Sequence, residues 1–118
     1  MNVVIVGANR GIGLALVQKY LQKGESVWAV CRNLSENLEL IDHPELTIVS
    51  EIDVTMETSR SKMLEKLPPV IDHFVHNAGI LQRNTIHNID EQSITRQFVV
   101  NALAPLQTIT SCLSKLQN

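Results

Sequence analysis

Seven residues near the amino terminus, Gly7-Ala8-Asn9-Arg10-Gly11-Ile12-Gly13, have the types and spacing to grip a phosphate group. They follow Val3-Val4-Ile5-Val6, a mostly β-branched run of the kind that forms a strand buried on both faces. They precede Leu14 to Lys23, a stretch of good helix formers with Leu14, Val17 and Leu21 near helical spacing and Gly24 as a stop. In such a strand-turn-helix, Gly7 permits a tight exit from the strand and Gly11 lets the backbone approach a pyrophosphate without a Cβ in the way. Gly13 lets the helix pack closely on the strand. The free N–H groups and positive dipole of the helix start then attract the anion. An isolated glycine cluster serves backbone geometry as readily as a ligand, so the flanking strand and helix carry this reading.

Four further sites hold residues that could do chemistry: Arg32, Asp53-Val54, Asn77-Ala78-Gly79 and Asn101. Each has a plainer explanation when taken alone. An arginine such as Arg32 is ordinarily a solvated charge, and an aspartate such as Asp53 caps the helix that follows it. Asn77 fits a turn that stabilises a strand end, and a lone helical asparagine such as Asn101 is solvated or bonded back to its own helix. Their order along the chain, and the elements that would bring them together, decide what they mean.

Those elements alternate. Ser26 to Cys31 reads as a second strand, the polar stretch Asn33 to Asp42 as a short helix, and Leu46 to Ile52 as a third strand. Met56 to Leu67 is an amphipathic helix ended by Pro68-Pro69, and Val70 to His76 is a fourth strand running into Asn77. From Asp90 the chain reads as helix almost to its end, bent around Asn101 and Pro105. Alternation of this kind predicts an α/β protein with a doubly wound parallel sheet of about four strands in the order 3-2-1-4. A ligand crevice then lies beyond the carboxyl ends of strands one and four, where every candidate residue falls. Residues 1–118 form one Rossmann-type domain with no internal repeat or linker.

The G-x-x-x-G-x-G spacing resembles that of the short-chain dehydrogenase/reductase family, and three more family landmarks follow in order over the whole chain. In that resemblance Asp53 and the next backbone group, at Val54, bind the adenine ring. Asn77-Ala78-Gly79 matches the family's N-A-G motif, although His76 stands where another asparagine is common. Asn101, within FVVNALAP, matches the asparagine that helps organise the active site and its proton relay. Asn9 and Ile12 join the glycines as cofactor-binding positions of the turn. Val6 departs from the threonine often found before the first glycine. The segment VWAVCRN resembles the carbonyl-reductase-like branch that includes the sniffer and C-factor proteins.

Cofactor preference follows from charge. A ribose 2′-hydroxyl is recognised by an acid at the end of the second strand, whereas a 2′-phosphate needs cations. Here Cys31 occupies the acid position, Arg32 follows it, and Arg10 lies in the glycine turn. The pairing favours NADP(H) over NAD(H). The family's chemistry also uses a serine, a tyrosine as general acid/base and a lysine four positions after it, since a phenol of pKa about 10 is rarely ionised at neutral pH. The sequence has no Y-x-x-x-K: its one tyrosine, Tyr20, lies on the first helix. Ser111 and Ser114 precede the strand that supplies the family's serine. The expectation is therefore an amino-terminal part of a dehydrogenase/reductase acting on a ketone, aldehyde or alcohol, inactive by itself. A non-catalytic NADP(H)-binding or assembly module is the alternative, because the long helix from about Gln97 resembles the family's dimerisation helix.

The remaining residues offer little competing chemistry. His73 and His76, three apart on a strand, point to opposite faces and cannot share a metal. His43 and His87 fall in loops, and no metal site is expected. Cys31 and Cys112 lie in no C-x-x-C or zinc spacing, which predicts a reducing, cytoplasmic setting. A net charge of −2, from 10 basic and 12 acidic residues without runs of either sign, predicts no nucleic-acid or membrane surface. The expected partners are the dinucleotide, a small carbonyl or alcohol in a longer chain, and further copies of the protein.

Overall fold

In the computed structural model, which describes residues 1–116, four strands form one parallel sheet. They are β1 (Asn2–Val6), β2 (Ser26–Val30), β3 (Leu46–Val49) and β4 (His73–His76), in the order β3-β2-β1-β4. The crossovers are α1 (Gly11–Gln22), α2 (Glu36–Glu39) and α3 (Glu57–Lys66). After β4 come α4 (Glu91–Phe98), a π-helical segment (Val99–Leu103) and α5 (Ala104–Ser111). The α/β class and the strand order are those the alternating pattern predicts.

Period-two alternation in β1 sends side chains to two cores. Val3 and Ile5 pack with Val27, Ala29, Val17 and Leu21 of α1, and Leu38 of α2. Val4 and Val6 pack on the other face with Val30, Val49, Met63 of α3, Ala104 of α5 and Cys112. Burying each such aliphatic side chain stabilises the fold by about 1.5–3 kcal/mol before entropy is counted. Because β1 is covered on both faces, it forms a fixed floor for whatever leaves its carboxyl end. Val6 stands opposite Val30 on one side and His76 on the other, so the three strands end level. Gly7, Cys31 and Asn77 therefore emerge together at one edge.

Several boundaries differ from the expected ones, each for a local reason. The first helix begins at Gly11 rather than Leu14, so the glycine turn itself forms its first turn. β2 stops at Val30, although Cys31 still donates its N–H to the Val49 carbonyl. β3 stops at Val49 rather than Ile52, and Glu51 adopts a left-handed φ of 61° that no strand residue shares. The second helix is only four residues long, begun by Ser35, whose hydroxyl accepts from Leu38 N. The third helix, Glu57–Lys66, is one residue shorter at each end than expected.

β4 begins at His73 instead of Val70. Upstream of it, Ile71 donates to the Lys115 carbonyl at 2.8 Å and meets Leu116 in a parallel bridge. The chain that returns from α5 thus enters beside the start of β4. The long helix runs from α4 through the π segment that contains Asn101 into α5, and Pro105 stands just after that segment, at the start of α5. The helix ends at Ser111, short of the extent expected from the sequence.

Candidate functional site

The turn after β1 is shaped by two close approaches of backbone and one of the Asn77 side chain. Gly7 has φ +85°, and a Cβ there would lie 2.6 Å from Ala78 N. A Cβ on Gly13 would lie 1.9 Å from the Gly7 carbonyl oxygen and 3.0 Å from the Asn77 side-chain nitrogen. Asn77 Nδ2 also reaches the Gly7 carbonyl, at 3.4 Å. Gly7, Gly13, Asn77 and Ala78 are therefore one contact, made possible by the level ends of β1 and β4. Gly11 differs: its φ is +56°, and a Cβ there would project into open space. No side chain caps α1, and its first turn holds no acid. The helix start thus keeps the electropositive, unobstructed character that suits an anion. Ile12, 71% exposed, borders the same space.

The loop after β2 is fastened to this turn. Asn9 Nδ2 donates to the Asn33 carbonyl at 2.9 Å, and the Ser35 hydroxyl donates to the Asn9 carbonyl while capping α2. Arg10 and Arg32, one from each side of this junction, are both exposed. Cys31, at the position where an acid would select a 2′-hydroxyl, is buried, and burial pushes its thiol pKa up. That keeps it a neutral apolar residue. Ser35 was not singled out from the sequence, though a serine three residues before a buried leucine is a visible helix-start signal.

Asp53 does not cap α3 as its type suggested. The cap position is Met56, without a side-chain bond, and Asp53 instead accepts from Thr55 Oγ1 at 2.6 Å and Thr55 N at 3.0 Å. The Thr55 hydroxyl bond chiefly holds the Asp53 carboxyl below its ordinary pKa, aided by the Thr55 N–H and the charges of Arg32 and Arg96. Two residues of α3 secure this corner. Ser59 Oγ accepts from Asp53 N at 2.8 Å, and the buried Arg60 donates to the Val54 carbonyl at 2.7 Å. The Val54 side chain faces the core, leaving backbone as its contribution to the crevice edge. Ser59 and Arg60 carried no signal in the sequence, because their role depends on how α3 returns over the loop.

Past β4, Gly79 passes within reach of the π segment: a Cβ on it would meet Asn101 Oδ1 at 3.2 Å. Asn101 is neither solvated alone nor bonded to its own helix. Its Oδ1 accepts from Ile80 N at 2.8 Å and its Nδ2 donates to the Ile80 carbonyl at 2.7 Å. Behind this strand end, His76 has both ring nitrogens buried and without a partner among the described residues, and burial lowers its pKa. All the residues singled out from the sequence lie along one edge of the sheet, in two groups. The Arg10, Arg32 and Asp53 group lies toward β2 and β3, and the Asn77 to Gly79 and Asn101 group lies beside β4.

Among the described residues, no cluster of three or more His, Cys, Asp or Glu side chains could hold a metal ion. No described helix is long and apolar enough to cross a membrane. Tyr20 packs against the α1 face of the sheet, with its ring 6.3 Å from that of His73.

Three solved structures show how far this arrangement is shared. A carbonyl reductase from Pseudomonas aeruginosa PAO1 superposes with a TM-score of 0.88 at 33% identity, over 98% of this chain and 56% of its own. The NADPH-bound carbonyl reductase from chicken fatty liver gives 0.82 at 30%, over 97% and 47%. The carbonyl reductase Sniffer of Caenorhabditis elegans gives 0.81 at 28%, over 97% and 52%. The chain spans about half the length of the curated relatives it matches, 47% and 43% for two of them. The family model described as short chain dehydrogenase matches residues 1–118. This oxidoreductase family binds nicotinamide dinucleotides, and the chain belongs to it.

Proposed function

We propose that these residues form the dinucleotide-binding part of an NADP(H)-dependent reductase or dehydrogenase acting on a ketone, aldehyde or alcohol. The observation that carries this reading is the uncapped start of α1, with Gly11 facing open space, exposed Arg10 and Arg32 on the turn and on the loop fastened to it, and Cys31 in place of an acid after β2. A pyrophosphate fits that geometry, since a Cβ on Gly11 would occupy the space a phosphate needs. Asn9, Gly11, Ile12 and Gly13 hold it through the turn and its backbone. Arg10 and Arg32 form charge-assisted hydrogen bonds to a 2′-phosphate. Asp53 and the Val54 backbone take the adenine, and Ala78, Gly79 and Asn101 border the nicotinamide end. The NADPH-bound chicken relative supports this preference.

When bound, the cofactor supplies or accepts a hydride at the substrate carbon. This chain's residues bind and orient it and hold the crevice wall. The family's serine, tyrosine and lysine have no counterpart at matching positions in these 118 residues. Carbonyl turnover by the 118 residues alone is accordingly not expected. The parallel entry of Leu116 beside β4 supports a further strand on that side, where the family places its serine. Two free, buried cysteines suit a reducing cytoplasm.

A second reading, a non-catalytic NADP(H)-binding or assembly module, is favoured by the apolar residues exposed from α4 onward, among them Phe98, Leu106 and Leu113. Calorimetric titration of the chain with NADPH and NADH tests both readings at the shared step. Saturable NADPH binding supports them, and binding of neither dinucleotide would overturn them.

A further inference from the structure

Asn101 has a counterpart one helical turn earlier. Gln97 Oε1 accepts from Gln82 N at 3.0 Å, and Gln97 Nε2 donates to the Gln82 carbonyl at 2.9 Å. Asn101 makes the same two bonds to Ile80. Two residues along an extended chain span about 6.6–6.8 Å, close to the about 6 Å rise of four helical residues. Amides four apart on the helix can therefore serve alternate residues of a chain running beside it. Each amide satisfies one N–H and one C=O of the same residue, as the facing residue does in a hydrogen-bonded antiparallel pair. Neither Ile80 nor Gln82 bonds to another backbone group among the described residues, and the one further bond is from Asn84 Nδ2 to the Gln82 carbonyl at 3.3 Å.

Gln97 is itself fixed. Its Nε2 also donates to Ser93 Oγ at 3.2 Å, and Ser93 is buried in the first turn of α4, where its N–H is capped by Asp90. The clamped segment follows directly on Ala78 and Gly79, which lie at the crevice. Gln82 and Gln97 also line an open cavity of about 510 Å³, with Leu81, Arg83 and Ile94.

We propose that Gln97 is a positioning residue that acts through Gln82 and, with Asn101, holds Ile80 to Gln82 as a fixed wall at the nicotinamide end of the crevice. The inference rests on the dinucleotide reading above. The adenosine end depends on Arg10, Arg32 and Asp53, on the far side of β1, so loss of the clamp affects one half of the cofactor and not the other.

The test compares NADP+ with 2′,5′-ADP, which lacks the nicotinamide half, on the whole chain and on two variants. Gln97→Met keeps the length of the side chain but makes no amide bonds. It is expected to weaken NADP+ binding about three- to tenfold, as befits loss of bonds worth about 1 kcal/mol each. Binding of 2′,5′-ADP is expected to stay within about twofold. Exchange of the Gln82 amide hydrogen should quicken while that of Ile80 changes little.

Gln97→Glu supplies a second readout if the methionine variant folds poorly. An ionised carboxylate accepts from Gln82 N but repels its carbonyl, whereas a protonated one can donate to it. The glutamate pKa of about 4.3 therefore predicts that the affinity deficit relative to the unmodified chain narrows between about pH 6 and pH 4, the interval that spans it. Equal losses for both ligands, unchanged Gln82 exchange in Gln97→Met, or a pH-independent deficit in Gln97→Glu would overturn the proposal. Binding of neither ligand by the unmodified chain would overturn the dinucleotide reading, and this inference with it.

Discussion

Gly13 sits against Gly7 so closely that a Cβ on Gly13 would fall 1.9 Å from the Gly7 carbonyl oxygen. The contact is between backbone atoms on two elements, so no side chain can swing away to relieve it. Gly13→Ala is expected to destabilise the fold by about 3 kcal/mol or more, at or beyond the upper end for overpacking. Gly11→Ala meets open space and bears only its left-handed φ of 56°, which costs about 1–2 kcal/mol. Urea denaturation of both variants checks the ranking. The Gly11 variant should fold yet lose dinucleotide affinity, because its new methyl group occupies the phosphate space.

Arg10 and Arg32 should act on NADPH and hardly on NADH. Both are exposed, so each charge-assisted bond to a 2′-phosphate is discounted by solvent, and a loss of about five- to tenfold in NADPH affinity is expected for Arg32→Ala. The double variant with Arg10→Ala should bring the two dinucleotides close to equal affinity. Parallel titrations decide the matter. Tighter NADH binding that survives Arg32→Ala would show these arginines to be solvated charge alone.

The strand order was legible because β1 reads as an apolar run and each later strand is separated from the next by a helical stretch. The glycine turn was legible for the same reason: local backbone chemistry decides it. What escaped were contacts between elements distant in sequence. An aspartate in the position of Asp53, taken alone, suggests a helix cap, yet Thr55 binds its carboxylate and Ser59 its N–H. The sequence marks Asn101 and Pro105 as an irregular stretch of the helix, and the irregularity is a π segment, Val99–Leu103, immediately before Pro105. Gln97 stands four residues before Asn101, a spacing visible in the sequence. Its meaning appears only once the loop after Gly79 runs alongside the helix.

His76 should make stability depend on pH. Its two ring nitrogens are buried without partners among the described residues, and burial lowers its pKa below the ordinary value of about 6.5. The unfolded chain therefore takes up a proton at a higher pH than the folded one does. Stability is full above about pH 6.5 and falls as pH drops from there toward the folded-state pKa. Asp53, whose pKa is also lowered, adds a separate loss that begins only near pH 4, where an unfolded aspartate protonates. Urea midpoints for the unmodified chain and His76→Asn, measured between pH 8 and pH 5, should diverge below pH 6.5, with the variant flatter. Parallel curves would remove His76 as the cause.

Self-association is expected from the surface that runs from α4 to Leu113. Phe98, Leu106 and Leu113 are 63%, 65% and 60% exposed. The π segment inserts one residue, so the eight-residue step from Phe98 to Leu106 behaves as two helical turns, and Leu113 follows in the turn just past the end of α5. A second copy covering this surface would bury apolar area. Light scattering on a sizing column should find a dimer or larger species. Leu106→Lys, which removes the burial of one leucine at about 1.5–3 kcal/mol, should weaken association about tenfold or more without unfolding the domain. A monomer at all concentrations would count against association through this surface.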